Sequence, residues 1–298
     1  MNKQNIAVCN LCSHRCSLKE GQTGLCGART CSNGKIVCDN YGEITSIALD
    51  PIEKKPLNRF MPGTNILSVG SYGCNLICPF CQNSEISCAR KNSDGKVIFK
   101  GTKGIINLPA KKMTPEEIAN LAVLLKSRGN IGLAYTYNEP MVGMEFVRDT
   151  ARLIHKAGMK NVLVTNGSFT DYALDQILPF MDAMNIDLKS FRPETYSKIL
   201  GGDLELVKNF IRKSAAVCHV EITTLVVPGL NDNEKEISDM VDFIASLNGG
   251  RGEEIPYHIS RFFPQWKMRD KIPTDLEFLY NMKKLAEEKL KYVYIGNV

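Results

Sequence analysis

The chain has 298 residues, of which 44% are hydrophobic and 23% charged, with a net charge of +5. This composition is ordinary for a globular protein with a sizeable core, and the mild charge favours no particular partner. No apolar run is long enough to span a membrane, and the first residues lack the apolar core of a signal peptide, so we expect a cytoplasmic protein. Eleven cysteines in a reducing compartment argue against a disulfide scaffold and favour metal or redox chemistry.

Residues 1–50 are predicted to form a small cysteine-rich module. Its metal ligands are predicted to be Cys9, Cys12, Cys16 and Cys26, in the spacing CxxCx3Cx9C. His14 could replace one thiol. A module this short cannot bury a stable core of its own, so a metal would contribute much of its stability. The spacing fits zinc or a second iron–sulfur cluster, with free thiols as the alternative.

Residues 51–64, within DPIEKKPLNRFMPGT, are predicted to be a linker because three prolines interrupt regular structure there. From residue 65 to residue 298, nearly continuous apolar runs alternate with helical patterns. The runs are NILSVG, GNIGLAYTY, KNVLVTN, AMNIDL, HVEITTLVV and EIPYHIS, followed at the end of the chain by YVYIGN. Continuous apolar runs are typical of parallel strands that are covered on both faces.

Six such units predict an α/β fold, specifically a partial parallel (β/α)6 TIM-type barrel with a last helix before the final strand. Thr114 is predicted to cap one helix with a capping box, and Asp203 and Asn231 or Asp232 to start later helices. In barrels of this kind the active site lies at the carboxyl ends of the strands. We therefore expect the polar loops that follow the runs to meet there.

The loop after the first run, SYGCNLICPFCQN, carries Cys74, Cys78 and Cys81 in the spacing CxxxCxxC. A structural zinc site usually has four protein ligands. Three cysteines on a [4Fe–4S] cluster leave one iron free to bind a substrate or cofactor. Gly73 allows a tight turn beside these cysteines. The spacing therefore predicts an open cluster, with a zinc knuckle or incidental thiols as the alternatives.

This loop closely resembles that of the radical S-adenosylmethionine (radical SAM) superfamily, including the aromatic Phe80 before the third cysteine. The resemblance implies that S-adenosylmethionine binds the free iron through its amino and carboxylate groups and is cleaved reductively to an organic radical. It implies further cofactor-binding residues at the ends of the later strands. These are Asn138 and Glu139 of YNEP, Thr165 and Asn166 of TNG, Asp187 and Lys189 of DLKS, and His258 of PYHIS.

The set of motifs from DPIEKKPLNRF to YVYIGNV resembles one branch, the pyruvate formate-lyase activating enzyme-like proteins of the AmmeMemoRadiSam system. This resemblance covers nearly the whole chain. It implies a reduced flavodoxin- or ferredoxin-type electron donor and an association with AMMECR1-like and Memo-like proteins. It does not identify the substrate.

Three functions are compatible with these patterns. The first is a radical SAM enzyme acting on an unidentified substrate, and the second is an activating enzyme that abstracts hydrogen from a glycine of a partner protein. The third is an iron–sulfur or zinc adaptor or electron carrier, which would cleave no cofactor. No residue is predicted to act on the substrate directly, but Arg261, Phe262, Phe263 and Trp266 are predicted to line the substrate opening.

Overall fold

The computed structural model describes residues 6–101 and 104–298. Its strands are β1 (Ile6–Val8), β2 (Ser17–Lys19), β3 (Arg29–Ser32), β4 (Lys35–Cys38), β5 (Glu43–Ile44), β6 (Ser46–Pro51), β7 (Asn65–Gly70), β8 (Arg90–Lys91), β9 (Val97–Gly101), β10 (Gly104–Asn107), β11 (Lys111–Lys112), β12 (Asn130–Tyr135), β13 (Lys160–Thr165), β14 (Ala183–Asp187), β15 (His219–Val226), β16 (Tyr257–Arg261) and β17 (Val293–Gly296).

The α-helices are α1 (Ser84–Ser87), α2 (Pro115–Leu124), α3 (Met144–Lys156), α4 (Asp171–Asp175), α5 (Leu204–Ala215), α6 (Glu234–Ala245), α7 (Leu247–Gly250) and α8 (Leu276–Glu287). Short 3₁₀ segments are Ile52–Lys54, Leu125–Arg128, Pro140–Gly143, Leu178–Phe180, Gly252–Glu254 and Trp266–Met268, and a π-helix covers Thr195–Leu200. None of the helices in the described ranges has the length and apolarity needed to cross a bilayer.

Eight strands form one open sheet in the order β17-β16-β15-β14-β13-β12-β7-β6. Neighbouring strands from β7 to β17 run parallel, and β6 is antiparallel to β7. Each of the six predicted runs contains one of the parallel strands, and the final run supplies β17. The predicted α/β class is therefore confirmed.

The sheet has two apolar faces, which explains why its strands read as nearly continuous apolar runs. One face packs on the long helices, and its side chains belong to the large core that includes Leu133, Leu163 and Ile186. The opposite face, called the inner face here, includes Ala134, Val162 and Ala183, which are neighbours in register on β12, β13 and β14. Because side chains alternate along a strand, Asn185 and Asp187 of β14 share this inner face.

The segment predicted as a linker covers part of the inner face. Ile52 and Leu57 are fully buried in the same apolar cluster as Ala134, Val162 and Ala183. Asn58 and Arg59 donate their backbone N–H groups to the carboxylate of Glu221 on β15, at 2.9 and 2.7 Å. Residues 52–59 therefore form a packed layer against the sheet, and this layer lies beside the site described below.

Predicted helix starts are mostly correct. The Thr114 hydroxyl accepts from Glu117 N at 3.2 Å, and the Glu117 carboxylate accepts from Thr114 N at 2.7 Å, so the capping box is present. Asp203 caps α5 as predicted. The predicted start of α6 is wrong by one or two residues. Asn233 is the cap, because Asn231 and Asp232 use their side chains to accept N–H groups within the preceding turn.

Candidate active site

The carboxyl ends of the parallel strands open into a cavity of about 350 Å³. Sites for cofactor-sized molecules generally measure about 300 to 1,000 Å³, so the cavity is large enough for one. It is lined by ten of the predicted site residues, Cys74, Cys78, Phe80, Cys81, Asn138, Glu139, Thr165, Asn166, Asp187 and Lys189. The loops after β7, β12, β13 and β14 therefore converge as the sequence predicted.

The loop after β7 presents its three cysteines through a turn that needs glycine. Gly73 has a φ of +93°, and a Cβ there would lie 2.6 Å from the backbone oxygen of Cys26. Burial raises the pKa of Cys74 and that of Cys78, the latter to about 12 although the Lys189 ammonium acts in the opposite direction. These thiols therefore stay protonated at neutral pH unless a cationic metal centre replaces their protons. Three cysteines, Cys74, Cys78 and Cys81, beside one cavity suit an iron–sulfur cluster.

Asn138 joins the cysteine loop to the end of β12. Its Oδ1 accepts from the backbone N of Ser71 at 2.9 Å, and its Nδ2 donates to the backbone oxygen of Gly73 at 3.1 Å. Both amide atoms are thus used to fix the start of the loop. We infer that Asn138 acts mainly by positioning the cysteine loop.

Glu139 is a buried carboxylate with three donors from the protein. It accepts from Met141 N at 3.0 Å, from the Thr165 hydroxyl at 2.8 Å and from Asn166 N at 2.8 Å. Burial raises the pKa of Glu139 to about 7, although these hydrogen bonds oppose the shift. A carboxylate offers about four acceptor positions, so one remains for a further donor such as the amino group of a ligand.

Asn166 connects the end of β13 to the cysteine loop. Its Nδ2 donates to Asn75 Oδ1 at 2.8 Å and lies 3.7 Å from Cys74 Sγ. A donor at this distance from sulfur favours the thiolate over the thiol. The TNG motif therefore meets the first cysteine as well as the buried carboxylate of Glu139.

Asp187 and Lys189 form an ion pair at the end of β14, with 2.8 Å between Lys189 Nζ and Asp187 Oδ2. Burial would lower the pKa of Lys189, but the Asp187 carboxylate outweighs it and the pKa is raised. The backbone N of Lys189 donates to the hydroxyl of Tyr196 at 3.0 Å, which fixes the loop. The cavity wall thus carries a stable cation beside an anion that is partly exposed.

His258 does not reach the cavity, which corrects its predicted role near the adenine. Its Nε2 lies 2.6 Å from Glu221 Oε2, and its ring stacks on Tyr294 at 5.2 Å between centroids. Ser260, two residues further along β16, lines the cavity instead. The sequence does not show that the Glu221 carboxylate holds this imidazole, nor how far His258 lies from the carboxyl end of the strand.

Several cavity residues were missed by the sequence reasoning. They are Lys54, Pro56, Leu76, Gln82, Asn83, Ser87, Thr136, Tyr137, Val164, Asn185, Thr223, Leu225, Ser260 and Asn297. Tyr137 has an unusual φ of +72° and donates its hydroxyl to Asp50 at 2.7 Å. The two-residue periodicity of a strand could have indicated Asn185 and Ser260, but no sequence signal places Lys54 and Pro56 in the cavity.

The four residues predicted to line a substrate opening do not share one cavity, although the Arg261 guanidinium lies 5.0 Å from the centre of the Phe263 ring. Phe262 is fully buried in the core, which corrects its predicted role. Arg261 donates to the backbone oxygen of Thr274 at 2.9 Å. Trp266 lies against Phe99 at 5.3 Å between centroids, on a second, open groove that shares Gln82 and Asn83 with the main cavity. Of the four, Trp266 is the one that lines this groove.

The four amino-terminal cysteines line one small cavity of their own, together with His14, Arg29, Asn75 and others. Burial raises the pKa of Cys12 to about 12 and that of Cys26 to about 11. Within the described ranges, no three His, Cys, Asp or Glu side chains stand in an arrangement that would hold a single ion. The structure thus brings the four thiols to a common cavity, without ligand geometry for one ion.

Residues 68–244 match the model of the Radical SAM superfamily. The chain belongs to the radical SAM superfamily. Its matched region contains the cysteine loop and the ends of β12, β13 and β14. Membership makes the chain a radical SAM enzyme, and the family implies a [4Fe–4S] cluster and S-adenosylmethionine.

Known relatives place this radical SAM enzyme in the pyruvate formate-lyase activating enzyme-like branch. An uncharacterized protein of Methanocaldococcus jannaschii is 40% identical over 99% of this chain and 82% of its own length. The pyruvate formate-lyase 1-activating enzyme of Escherichia coli is 28% identical over 62% of this chain and 71% of its own. SuiB of Streptococcus suis, solved bound to S-adenosylmethionine, aligns with a TM-score of 0.54 at 12% identity over 76% of this chain and 48% of SuiB. At that identity the likeness to SuiB shows a shared fold alone.

Proposed function

We propose that this radical SAM enzyme reductively cleaves S-adenosylmethionine and passes the resulting organic radical to a substrate. The observation that carries the proposal is the single cavity of about 350 Å³ in which three cysteines, a buried carboxylate and an ion pair meet from four strand ends. Cluster and cofactor must adjoin for an electron to pass between them. The cavity supports such an arrangement, because the cysteines suited to a cluster and the polar side chains suited to the cofactor line the same cavity.

A [4Fe–4S] cluster held by Cys74, Cys78 and Cys81 would supply the electron and one iron that the cofactor's amino and carboxylate groups can bind. The protein favours the thiolate form of its ligands. The Asn166 amide lies 3.7 Å from Cys74 Sγ, and the Lys189 ammonium lowers the pKa of Cys78 against the larger effect of burial. Both effects stabilise negative charge on sulfur inside a buried site.

The remaining side chains are assigned to the cofactor. Glu139 accepts a hydrogen bond from the amino group, using the position that its three protein donors leave open. Thr165 and Asn166, at the end of β13, would bind the carboxylate and ribose, and Asp187 and Lys189 would supply further ribose and carboxylate contacts. Phe80 forms part of the apolar wall. Glu139 and Asn166 are buried, which strengthens their polar contacts.

Two finer structural features belong to the same proposal. The open parallel sheet, with its inner face directed at residues 52–59, curves as a partial (β/α)6 barrel. Cys9, Cys12, Cys16 and Cys26 hold a second metal centre, either zinc or an additional iron–sulfur cluster. Their convergence on one cavity supports this assignment.

The substrate is not identified by these residues. A specific observation favours glycyl radical activation as the second candidate, namely the 28% identity to a pyruvate formate-lyase 1-activating enzyme. Radical SAM activating enzymes typically take their electron from reduced flavodoxin or ferredoxin, and we propose such a donor here. AMMECR1-like and Memo-like proteins are proposed partners from the branch resemblance. An adaptor role is disfavoured by membership of an enzyme family and predicts that no cofactor is cleaved.

The test is anaerobic reconstitution with iron and sulfide, followed by reduction, addition of S-adenosylmethionine and chromatographic detection of 5′-deoxyadenosine. We expect 5′-deoxyadenosine from the wild-type chain and none from Cys78→Ala. Cys218→Ala is the matched control, since that thiol lies away from both cavities and donates to the backbone oxygen of Ser214 near the end of α5. A different cleavage product would point to another C–S bond, and a cluster without any S-adenosylmethionine cleavage would contradict the proposal.

A further inference from the structure

The cavity lined by the four amino-terminal cysteines lies directly behind the cysteine loop of the active site. Its walls come from both parts of the chain, because Asn75 of the loop, Val142 and Phe169 line it beside the thiols. Thr170 donates its backbone N to Leu11 O at 2.9 Å, which fastens the amino-terminal segment to the loop after β13. The cavity is thus a junction between the amino-terminal residues and the sheet.

Arg29 provides an independent indication that an anionic group belongs in this cavity. Its side chain is 6% exposed, and its terminal nitrogens donate to the Glu145 carboxylate at 2.8 and 2.6 Å and to Val142 O at 3.2 Å. The Nε atom is buried and has no hydrogen-bond partner among the residues that the structure describes. A buried cationic N–H without an acceptor is costly. A metal centre ligated by four thiolates carries net negative charge and sulfur acceptors, which would satisfy it.

Two hydrogen bonds connect this cavity to the active-site loop. The backbone oxygen of Cys26 accepts from the backbone N of Cys74 at 3.1 Å. His14 Nε2 lies 2.8 Å from the backbone oxygen of Asn75. Gly73 packs so tightly on Cys26 that a Cβ would meet the Cys26 oxygen at 2.6 Å. Anything that fixes Cys26 and His14 therefore also fixes the backbone of Cys74 and Asn75.

We propose that the amino-terminal centre is a metal-loaded clamp on the active-site loop. In the described ranges the four thiols share one cavity without standing in ligand geometry for one ion, so loading with a thiophilic metal centre draws Cys9, Cys12, Cys16 and Cys26 together. The loaded centre holds the Cys26 carbonyl in place, and this carbonyl positions the first active-site cysteine. Each cysteine that becomes a ligand releases its proton to solvent. The second step of this inference, that loading of the clamp favours assembly of the active-site cluster, rests on the proposed function. The first step extends the amino-terminal metal assignment made there and does not depend on cleavage of S-adenosylmethionine.

The decisive experiment removes the active-site cysteines so that the clamp is tested alone. The Cys74→Ala/Cys78→Ala/Cys81→Ala chain is purified anaerobically, and zinc, iron and acid-labile sulfide are measured. We expect about one zinc ion per chain, or iron together with sulfide, as a four-cysteine centre requires. Adding Cys12→Ala abolishes this metal, Cys12→His preserves zinc binding, and Cys218→Ala changes nothing. No bound metal, or metal unaffected by Cys12→Ala, overturns the inference.

Amide hydrogen exchange of residues 72–78 in the same background tests the coupling. We expect exchange at position 74 to be roughly tenfold slower with metal than without, because local opening must break the bond to Cys26. To avoid comparing chains that differ in folding, the metal is stripped by a chelator and restored with zinc ion alone, or with iron and sulfide. Equal exchange rates in the two states, with an unchanged helix content, would contradict the clamp.

The full chain separates this inference from the proposed function. With the active-site cysteines present, Cys12→Ala should lower the amount of iron–sulfur cluster formed in the active site, and Cys12→His should restore it. If the clamp binds metal and slows exchange but wild type yields no 5′-deoxyadenosine, the proposed function fails and the clamp stands. If 5′-deoxyadenosine forms normally in a chain that binds no metal at the amino-terminal cysteines, the clamp fails and the proposed function stands.

Discussion

Replacing Glu139 by glutamine should change the pH dependence of stability in the cluster-free chain. The wild-type carboxyl is buried, accepts from Met141, Thr165 and Asn166, and has its pKa raised from 4.5 to about 7. A carboxyl with a raised pKa binds its proton more tightly in the folded than in the unfolded chain. Stability from Glu139 is therefore greatest below about pH 4.5 and falls as the pH rises towards 7.

The size of the effect follows from the same shift. Each unit of pKa difference corresponds to about 1.4 kcal/mol, so the free energy of unfolding should fall by at most about 3 kcal/mol between pH 4.5 and 7 because of Glu139. Glutamine has no proton to lose in this range. Its amide also faces three donors, which adds a constant loss of stability that does not depend on pH.

Urea unfolding of both chains, followed by circular dichroism at several pH values from about 4.5 to 7.5, measures the difference directly. Glu145→Gln is the control, because the Arg29 guanidinium outweighs burial and lowers the pKa of that carboxyl. Its contribution is complete above about pH 4.5, so its difference from wild type should be flat over the range. A Glu139→Gln difference that is equally flat would refute the raised pKa and the reasoning built on burial.

Two further predictions concern the turn at Gly73 and the ion pair of Asp187 and Lys189. Gly73→Ala should destabilise the chain by about 2 kcal/mol or more, because the added Cβ would meet the Cys26 oxygen. The control Gly95→Ala should cost about 1 kcal/mol, because that glycine has a φ of +75° but no neighbour within 4 Å. Equal thermal midpoints of the two variants would contradict this prediction. Asp187→Asn, which removes the anion beside Lys189, should weaken S-adenosylmethionine binding about tenfold in anaerobic equilibrium dialysis, and Asp187→Glu should recover part of it.

The active-site loop and most of its partners could be predicted because their positions follow from simple rules. The cysteine spacing indicates a cluster, and residues at the carboxyl ends of parallel strands meet at one edge of a sheet. Asn138, Thr165 and Asp187 reach the cavity for that reason. Their partners could not be assigned, since the sequence does not show that Glu139 accepts from both Thr165 and Asn166.

The sequence does not predict the role of a residue when that role depends on its depth along a strand or on packing against residues distant in the chain. His258 and Ser260 lie on the same strand face, and only the structure shows that Glu221 holds the deeper one away from the cavity. The proline-rich segment after residue 50 reads as a linker, yet Leu57 is fully buried against the sheet. Arg29 belongs to no recognisable motif, and only the structure shows that its Nε is buried without a hydrogen-bond partner among the described residues.

The central claim is that one iron of the active-site cluster has no protein ligand and binds S-adenosylmethionine. The most direct test is electron paramagnetic resonance of the anaerobically reconstituted, reduced protein, recorded before and after S-adenosylmethionine is added. We predict a cluster signal whose g values shift on addition, and loss of that signal in Cys78→Ala. Zinc bound by Cys74, Cys78 and Cys81, or a cluster spectrum that the added cofactor leaves unchanged, would contradict the account.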